Sequence, residues 1–260
     1  MAQGLIIILI NRATKLSQFF LTMDKEYRAT IKLGIETDTW DNEGRVVSRS
    51  TPAIYKQKEF ERMLESYVGT NYQEPPMYSA IKYKGRPLYS YARKGKKIEI
   101  KRRKINIYSM KLLDYSQDKL TVNMVCSSGT YVRWVAHHLG KKLGCGAMLS
   151  GLVRTRIGNF NLSDASGVDY LENKLPDRLI GIDSALAGCR EVAVKKEFKN
   201  QIINGRWLDR ERAEGWPGRG LEPDEMVKIK DGRGHLLAVY KVDKQYQPGK
   251  EWLRPMVILN

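Results

Sequence analysis

Leu120 to Gly144 reads LTVNMVCSSGTYVRWVAHHLGKKLG, and a change of period inside it decides the fold class. Leu120, Val122, Met124 and Cys126 alternate with Thr121, Asn123 and Val125, the period of two that buries one face of a β-strand. Ser127-Ser128-Gly129-Thr130 then supplies turn chemistry and a cap for a following helix. Val132, Val135, Ala136, Leu139 and Leu143 recur at helical spacing until Gly144 ends the run. A strand feeding a capped helix sets Tyr131 and Arg133 in the first helical turn at the end of a sheet, where polar side chains often build sites.

The same grammar extends outward. Upstream, Tyr27, Ala29, Ile31 and Leu33 alternate with Arg28, Thr30 and Lys32, which predicts a half-buried strand. Leu16, Phe19, Phe20 and Met23 predict a short amphipathic helix before it, and Phe60, Met63, Leu64 and Tyr67 another, stopped by Gly69. Asp41-Asn42-Glu43-Gly44 reads as a turn. The run Leu5–Ile10 (LIIILI) is too short to cross a membrane and has no basic segment before it, so we expect a buried strand. Downstream, a boundary near residue 187 is followed by a strand at Val192–Val194, a helix ended by Asn204-Gly205 and a Gly/Pro-rich loop from Gly215 to Pro223. Two β segments then flank Asp231-Gly232-Arg233-Gly234, and a last strand covers Glu251–Asn260. We therefore expect an α+β chain. Residues 1–186 form a mixed, largely antiparallel sheet with flanking helices, and 187–260 a small β-barrel-like module.

Charge narrows the partner. The 260 residues carry 45 Lys and Arg against 29 Asp and Glu, a formal +16 with a pI near 9.7, which points to a polyanion. Residues 187–260 hold 15 basic and 11 acidic side chains, so most of the excess lies before them. From Lys82 to Lys104 eleven Lys or Arg face the single acid Glu99, with Tyr78, Tyr83, Tyr89 and Tyr91 among or beside them. Cations with interleaved aromatics suit RNA, whose phosphates meet the charge and whose unstacked bases meet the rings. A charge run alone is more often a solvated face, and each tyrosine could equally be core. Cys126, Cys145 and Cys189 form no CxxC pair and read as reduced core thiols in a cytoplasmic protein. His137 and His138 are neighbours on a helix and point apart, so they make poor joint ligands. The chain has no GxGxxG, P-loop or HExxH, which argues against nucleotide-dependent enzymes, Rossmann methyltransferases and metalloproteases.

Ordered motifs supply the specific reading. Asp24-Lys25-Glu26-Tyr27-Arg28 resembles the Lys-x-Tyr motif of TruB pseudouridine synthases, and Leu33-Gly34 with Thr37-Asp38-Thr39, Asp41 and Gly44 resembles the stretch after it. Pro76-Met77-Tyr78-Ser79-Ala80-Ile81-Lys82, with Gly85, Leu88-Tyr89 and Tyr91-Ala92-Arg93, resembles the family's tRNA-gripping thumb, here residues 71–104. Ser128-Gly129-Thr130-Tyr131-Val132-Arg133, Gly144-Cys145-Gly146-Ala147 and Leu152-Val153-Arg154-Thr155 continue the match to about residue 160, and the tail loosely resembles a PUA module. The resemblance implies isomerisation of uridine to pseudouridine at position 55 in the T-loop of tRNA, with no cofactor and no metal. It implies tRNA, T-loop and stem, as partner and no membrane, and we expect a monomer.

Site roles follow from the same resemblance. Tyr27 would stack on the flipped base and help remove its C5 proton, and Arg133 would pair with the catalytic aspartate. Tyr131 and Leu152 would line the pocket, while Tyr78, Lys82, Tyr89 and Arg93 would hold the tRNA. Without the family, Tyr27, Tyr131 and Leu152 read as core, whereas Arg133 sits awkwardly near a helix start, where the dipole disfavours a cation. The family's catalytic motif is Gly-x-Leu-Asp-Pro-x-Ala-x-Gly. Met1-Ala2-Gln3-Gly4 matches only x-Ala-x-Gly, so we expect the nucleophilic aspartate to be absent from this chain and the chain to be inactive. A non-catalytic RNA-binding protein or tRNA chaperone is the alternative, and a structural protein of the ribosome is a weaker third.

Overall fold

The computed structural model describes residues 2–96, 98–170, 176–216, 220–243 and 252–259. Met1, Lys97, the middle of the expected loop at 217–219, and Glu251 and Asn260 of the expected last strand lie outside them. The chain divides into two compact units, residues 1–7 with 19–165, and residues 8–18 with 166–260.

The first unit is built on one sheet. Its strands are β1 (Ala2–Gly4), β2 (Lys25–Leu33), then, beyond the small ribbon β3 (Ile35–Thr37) and β4 (Val46–Arg49), β5 (Gly69–Gln73). The hairpin β6 (Lys82–Tyr83) and β7 (Arg86–Pro87) comes next, followed by β8 (Arg103–Ser116), β9 (Lys119–Cys126), β10 (Ala147–Ile157) and β11 (Phe160–Asn161). The order across the sheet is β1-β10-β2-β9-β8-β5, with β11 added to β10. Among the described strands of this sheet β1 runs parallel to its neighbour, and the other pairs are antiparallel.

Alternation in the sequence becomes burial. Ala29, Ile31 and Leu33 on β2 and Leu120, Val122, Met124 and Cys126 on β9 are buried, and register sets Ala29 opposite Val122 and Ile31 opposite Leu120. Three helices belong to this unit in full: α2 (Gln57–Glu65), α3 (Leu88–Ala92) and α4 (Val132–Lys142), after the short α1 (Ser17–Thr22). Phe60 and Leu64 of α2 and Val132, Val135, Ala136 and Leu139 of α4 close over the buried face as one cluster. α4 lies hard against the start of β10. A Cβ on Gly140 would stand 2.1 Å from the amide nitrogen of Ala147, so only glycine allows this approach. That contact fixes the axial position of α4, and with it Arg133 in the first turn of the helix.

Two expectations need correction. Leu5–Ile10 is not a buried strand: pairing with β10 stops at Gly4, and beyond it Leu5 is buried while Ile6, Ile8 and Ile10 are exposed. Hydrophobicity marked the segment, but only Leu5 still bonds to β10, through its amide to the Arg154 carbonyl, and among the described residues no strand pairs with Ile6–Ile10. Ser127–Thr130 does not cap α4 either. Thr130 Oγ1 donates to the Ser127 carbonyl, and the N-cap residue is Tyr131.

The second unit contains β12 (Arg190–Val194), β13 (Leu208–Asp209), β14 (Ala213–Gly215), β15 (Met226–Lys230), β16 (Leu236–Asp243) and β17 (Trp252–Ile258), ordered β13-β17-β16-β15-β12-β14. Val192, Val194, Ile229, Tyr240 and Leu253 form its core. The Asp231 carboxylate ties the β15–β16 turn, accepting from the amides of Arg233 and His235 at 3.0 Å each and from Lys199 Nζ at 2.7 Å. The result is a near-closed, PUA-like β-barrel after an α+β sheet domain. No helix among the described residues is long and apolar enough to cross a membrane.

Candidate active site

Tyr27, Tyr131 and Leu152 are all half-buried and pack at the margin of the same core cluster. The sheet explains two of them. Tyr27 continues the inward phase of β2, two residues before Ala29, and Leu152 on β10 stands opposite Ala29. Lys25 steadies the entry to β2 by donating to the carbonyls of Leu21 and Met23 at 2.6 and 2.5 Å, where α1 ends. Burial pushes the Tyr27 phenol above its ordinary value, with Arg154 opposing that rise. Leu152 also borders a cavity of about 370 Å³ lined by Gln3, Arg28, Thr30, Asn42 and Ser150.

Tyr131 is set by a residue that sequence reasoning missed. Gln73, 1% exposed at the end of β5, accepts from the Tyr131 amide at 2.9 Å and donates to its carbonyl at 3.0 Å. This two-point grip satisfies a helix N-terminal amide that no side-chain cap reaches. It also ties the root of the 71–104 segment to α4.

Arg133 Nη1 donates to Asp41 Oδ2 at 3.0 Å, and Nη2 donates to the carbonyl of Tyr78. Its guanidinium also lies over the Tyr131 ring, 5.7 Å from the centroid. The pairing of a largely buried arginine with a buried aspartate gives charge-assisted hydrogen bonds at a fixed geometry. The aspartate itself is held, because Oδ1 accepts from Thr39 Oγ1 at 2.6 Å and from the Glu43 amide at 3.2 Å. Sequence reading had Asp41 as a turn residue; it sits 92 positions from Arg133, and no local signal announces a partner at that separation.

Trp40 explains how the aspartate is aimed. It adopts a positive φ of 64°, uncommon for a bulky side chain, while its ring stacks on His137 at 4.4 Å. His137 is one turn along α4 from Arg133, so the stack clamps the Asp41 turn to the helix that carries the guanidinium. His138 stacks separately on Trp134 at 4.9 Å, so the two histidines do point apart.

Burial, helped by Lys141 and His138, lowers the His137 pKa to about 4 even with the Glu36 carboxylate 3.3 Å from its Nδ1. The folded protein therefore keeps the ring neutral, and stability present above the unfolded value of about 6.5 is lost as pH falls towards 4. Wild type is expected to lose about 2 kcal/mol more than His137→Phe between pH 7 and pH 5 in urea titrations. Equal losses would show that His137 titrates normally.

The 71–104 segment presents its cations outward. The hairpin of β6 and β7 turns at Lys84-Gly85, both at positive φ, and α3 follows, anchored by fully buried Leu88. All ten described Lys and Arg from Lys82 to Lys104 are exposed. Tyr89 is exposed with Arg93 over its ring at 5.4 Å, and Lys82 lies on the hairpin. Tyr78 is half-buried and contributes its carbonyl to Arg133, so the structure joins it to the Arg133 cluster. Lys82, Tyr89 and Arg93 stay on the outer surface.

The TruB family pseudouridylate synthase (N terminal domain) model matches residues 1–132. The chain belongs to the TruB family. It is 47% identical over 246 residues to tRNA pseudouridine synthase B of Francisella philomiragia subsp. philomiragia, covering 92% of this chain and 81% of that protein. The enzyme of the same name from Francisella tularensis subsp. holarctica is 41% identical over 221 residues, 83% and 73% of the two chains. The fold is also that of a chain in the crystal structure of a Cbf5-Nop10-Gar1 complex, with a TM-score of 0.70 at 19% identity over 96% of this chain and 71% of that one. A chain of an H/ACA RNP bound to a substrate RNA containing 2'-deoxyuridine gives 0.65 at 18% identity, covering 96% and 70%. In TruB terms, Tyr27, Tyr131, Arg133 and Leu152 all fall in the first compact unit.

Proposed function

We propose that this chain is the RNA-gripping and base-holding part of a tRNA pseudouridine synthase acting on position 55 in the T-loop. The observation that supports the reading is that Tyr27, Tyr131 and Leu152 all pack against one core cluster, with Arg133 locked to Asp41 and to the root of a basic segment. In the reaction the target uridine leaves its stack, at a cost of a few kcal/mol, and its base enters beside Tyr27 and Leu152. The C1′–N1 bond breaks, the uracil turns, C1′ bonds to C5, and the C5 proton is removed. Tyr27 offers a ring for stacking and a phenol near C5, Leu152 an apolar wall, and Tyr131 the opposite lining. Tyr78, Lys82, Tyr89 and Arg93 hold the tRNA, and the two largely buried thiols Cys126 and Cys145 suit a reducing cytoplasm. We take the working unit as a monomer.

The family's aspartate is not among residues 1–260, and Arg133 is instead engaged by Asp41. Residues 1–260 alone are therefore expected to release no tritium from tRNA labelled at C5 of uridine, over the background of RNA without protein. Release at enzymatic rates would show that another acid does the work and would overturn this assignment.

A further inference from the structure

Arg154 has no task in the account above, yet it stands next to the reacting group. On β10 it lies directly opposite Tyr27 of β2, so the antiparallel pairing puts the two side chains on the same face of the sheet. Its main chain and side chain are both pinned. The Leu5 amide donates to the Arg154 carbonyl at 2.9 Å, and Arg154 Nε donates to the Leu5 carbonyl at 2.7 Å. The approach depends on Gly4, at φ +101°, where a Cβ would meet the Arg154 carbonyl oxygen at 2.4 Å. Register shifts between Leu149 and Gly151 and again between Arg154 and Arg156, so Gly151 to Arg154 form the regular stretch that faces Tyr27 to Thr30.

The other ionisable groups around the phenol are accounted for. Lys25 is spent on the carbonyls that end α1. Cys126, from β9, is buried, and burial pushes its thiol up to about 11, so it stays neutral. Asp24 acts on Lys25, on Cys126 and on the exposed Tyr108. Burial raises the Tyr27 phenol, and the Arg154 charge opposite it in the ladder pulls against that rise.

We propose that Arg154 is a positioning residue for Tyr27: fixed by the Leu5 carbonyl, its guanidinium supports negative charge on the phenol oxygen so that Tyr27 can accept the C5 proton. In that step the C5–H bond breaks, its electron pair restores the C5–C6 double bond of the uracil, the C6–N1 π pair moves onto N1, and N1 takes a proton from water. The C5 proton passes to the Tyr27 phenolate, whose own proton has gone to water. An arginine suits the task because its planar fork donates to Leu5 with Nε and still presents other N–H groups. The proposal rests on the isomerase reading, but its test contains no RNA, so the two can fail separately.

The test places a difluorotyrosine, whose phenol ionises near neutral pH, at position 27 and follows its ionisation by fluorine NMR. Arg154→Gln is expected to raise the midpoint by about one pH unit, a tenfold loss of phenolate at a given pH. Arg154→Lys keeps the charge but not the fork, and is expected to fall between wild type and Arg154→Gln. A midpoint unchanged in whichever of these variants folds would overturn the proposal and leave Arg154 as a pin for the chain leaving β1. The tritium assay, by contrast, bears only on the isomerase reading.

Discussion

Replacing Arg133 by methionine is expected to lower the unfolding free energy by about 3–5 kcal/mol at neutral pH, the cost of breaking a buried ion pair from one side. The substitution leaves the Asp41 carboxylate, 8% exposed, facing an apolar side chain, and removes the donor from the Tyr78 carbonyl. Thr39 and the Glu43 amide still donate to Asp41, so the loss belongs at the lower end of that range. Arg133→Lys is expected to recover only part, because an ammonium on a flexible stem does not reproduce the fork that spans Asp41 and Tyr78. Adding Asp41→Asn to Arg133→Met should return stability, since the orphaned charge is gone. Urea unfolding of the single and double variants reads all of this. A loss below about 1 kcal/mol for Arg133→Met would mean that the pair is solvated and that Arg133 is not held in place.

The second large effect concerns RNA affinity rather than stability. Exchanging Lys82, Arg86, Arg93 and Lys94 for glutamine is expected to weaken tRNA binding by roughly 100- to 1,000-fold at moderate salt. Each phosphate contact contributes about 0.7–0.9 to the slope of log affinity against log salt, so the slope should fall by about 3. All four side chains are exposed, and only Arg93 makes a described ring contact, over Tyr89. The melting temperature should therefore hardly move. An unchanged salt slope would place the tRNA on another face of the molecule.

What could be read from sequence was what is local. β2 and β9 were legible because Ala29, Ile31, Leu33 and Leu120 to Cys126 alternate, and each is buried where the alternation says. α4 was legible from Val132, Val135, Ala136 and Leu139, all buried, and the separation of His137 from His138 followed from helical geometry alone. Leu5–Ile10 misled because six apolar residues announce burial without naming a partner strand, and of the six Leu5 alone is fully buried. The Ser127–Thr130 cap misled because Gln73, 58 residues away, grips the helix start instead. The site divides along the same line. Tyr27, Tyr131, Arg133 and Leu152 were named through family motifs, each a short pattern along the chain. Asp41, Trp40, Gln73 and Arg154 act through pairings fixed by tertiary packing, across separations of 58 to 149 residues. Composition shows no trace of such pairs. The clearest sequence hint was negative: an arginine in a first helical turn, where the dipole is unfavourable, asks for a compensating anion.

The most direct test of the central claim, that this chain grips the T-loop of tRNA, is a comparison of two RNA hairpins by fluorescence anisotropy. One is the T-arm with its natural loop; the other has the same stem closed by an unrelated short loop. If Tyr27, Tyr131 and Leu152 receive a base that the T-loop presents, residues 1–260 should bind the T-arm at least about tenfold more tightly, the worth of one well-stacked base. Equal affinity for the two hairpins would contradict the account, because the chain would then be reading only the charge of a stem.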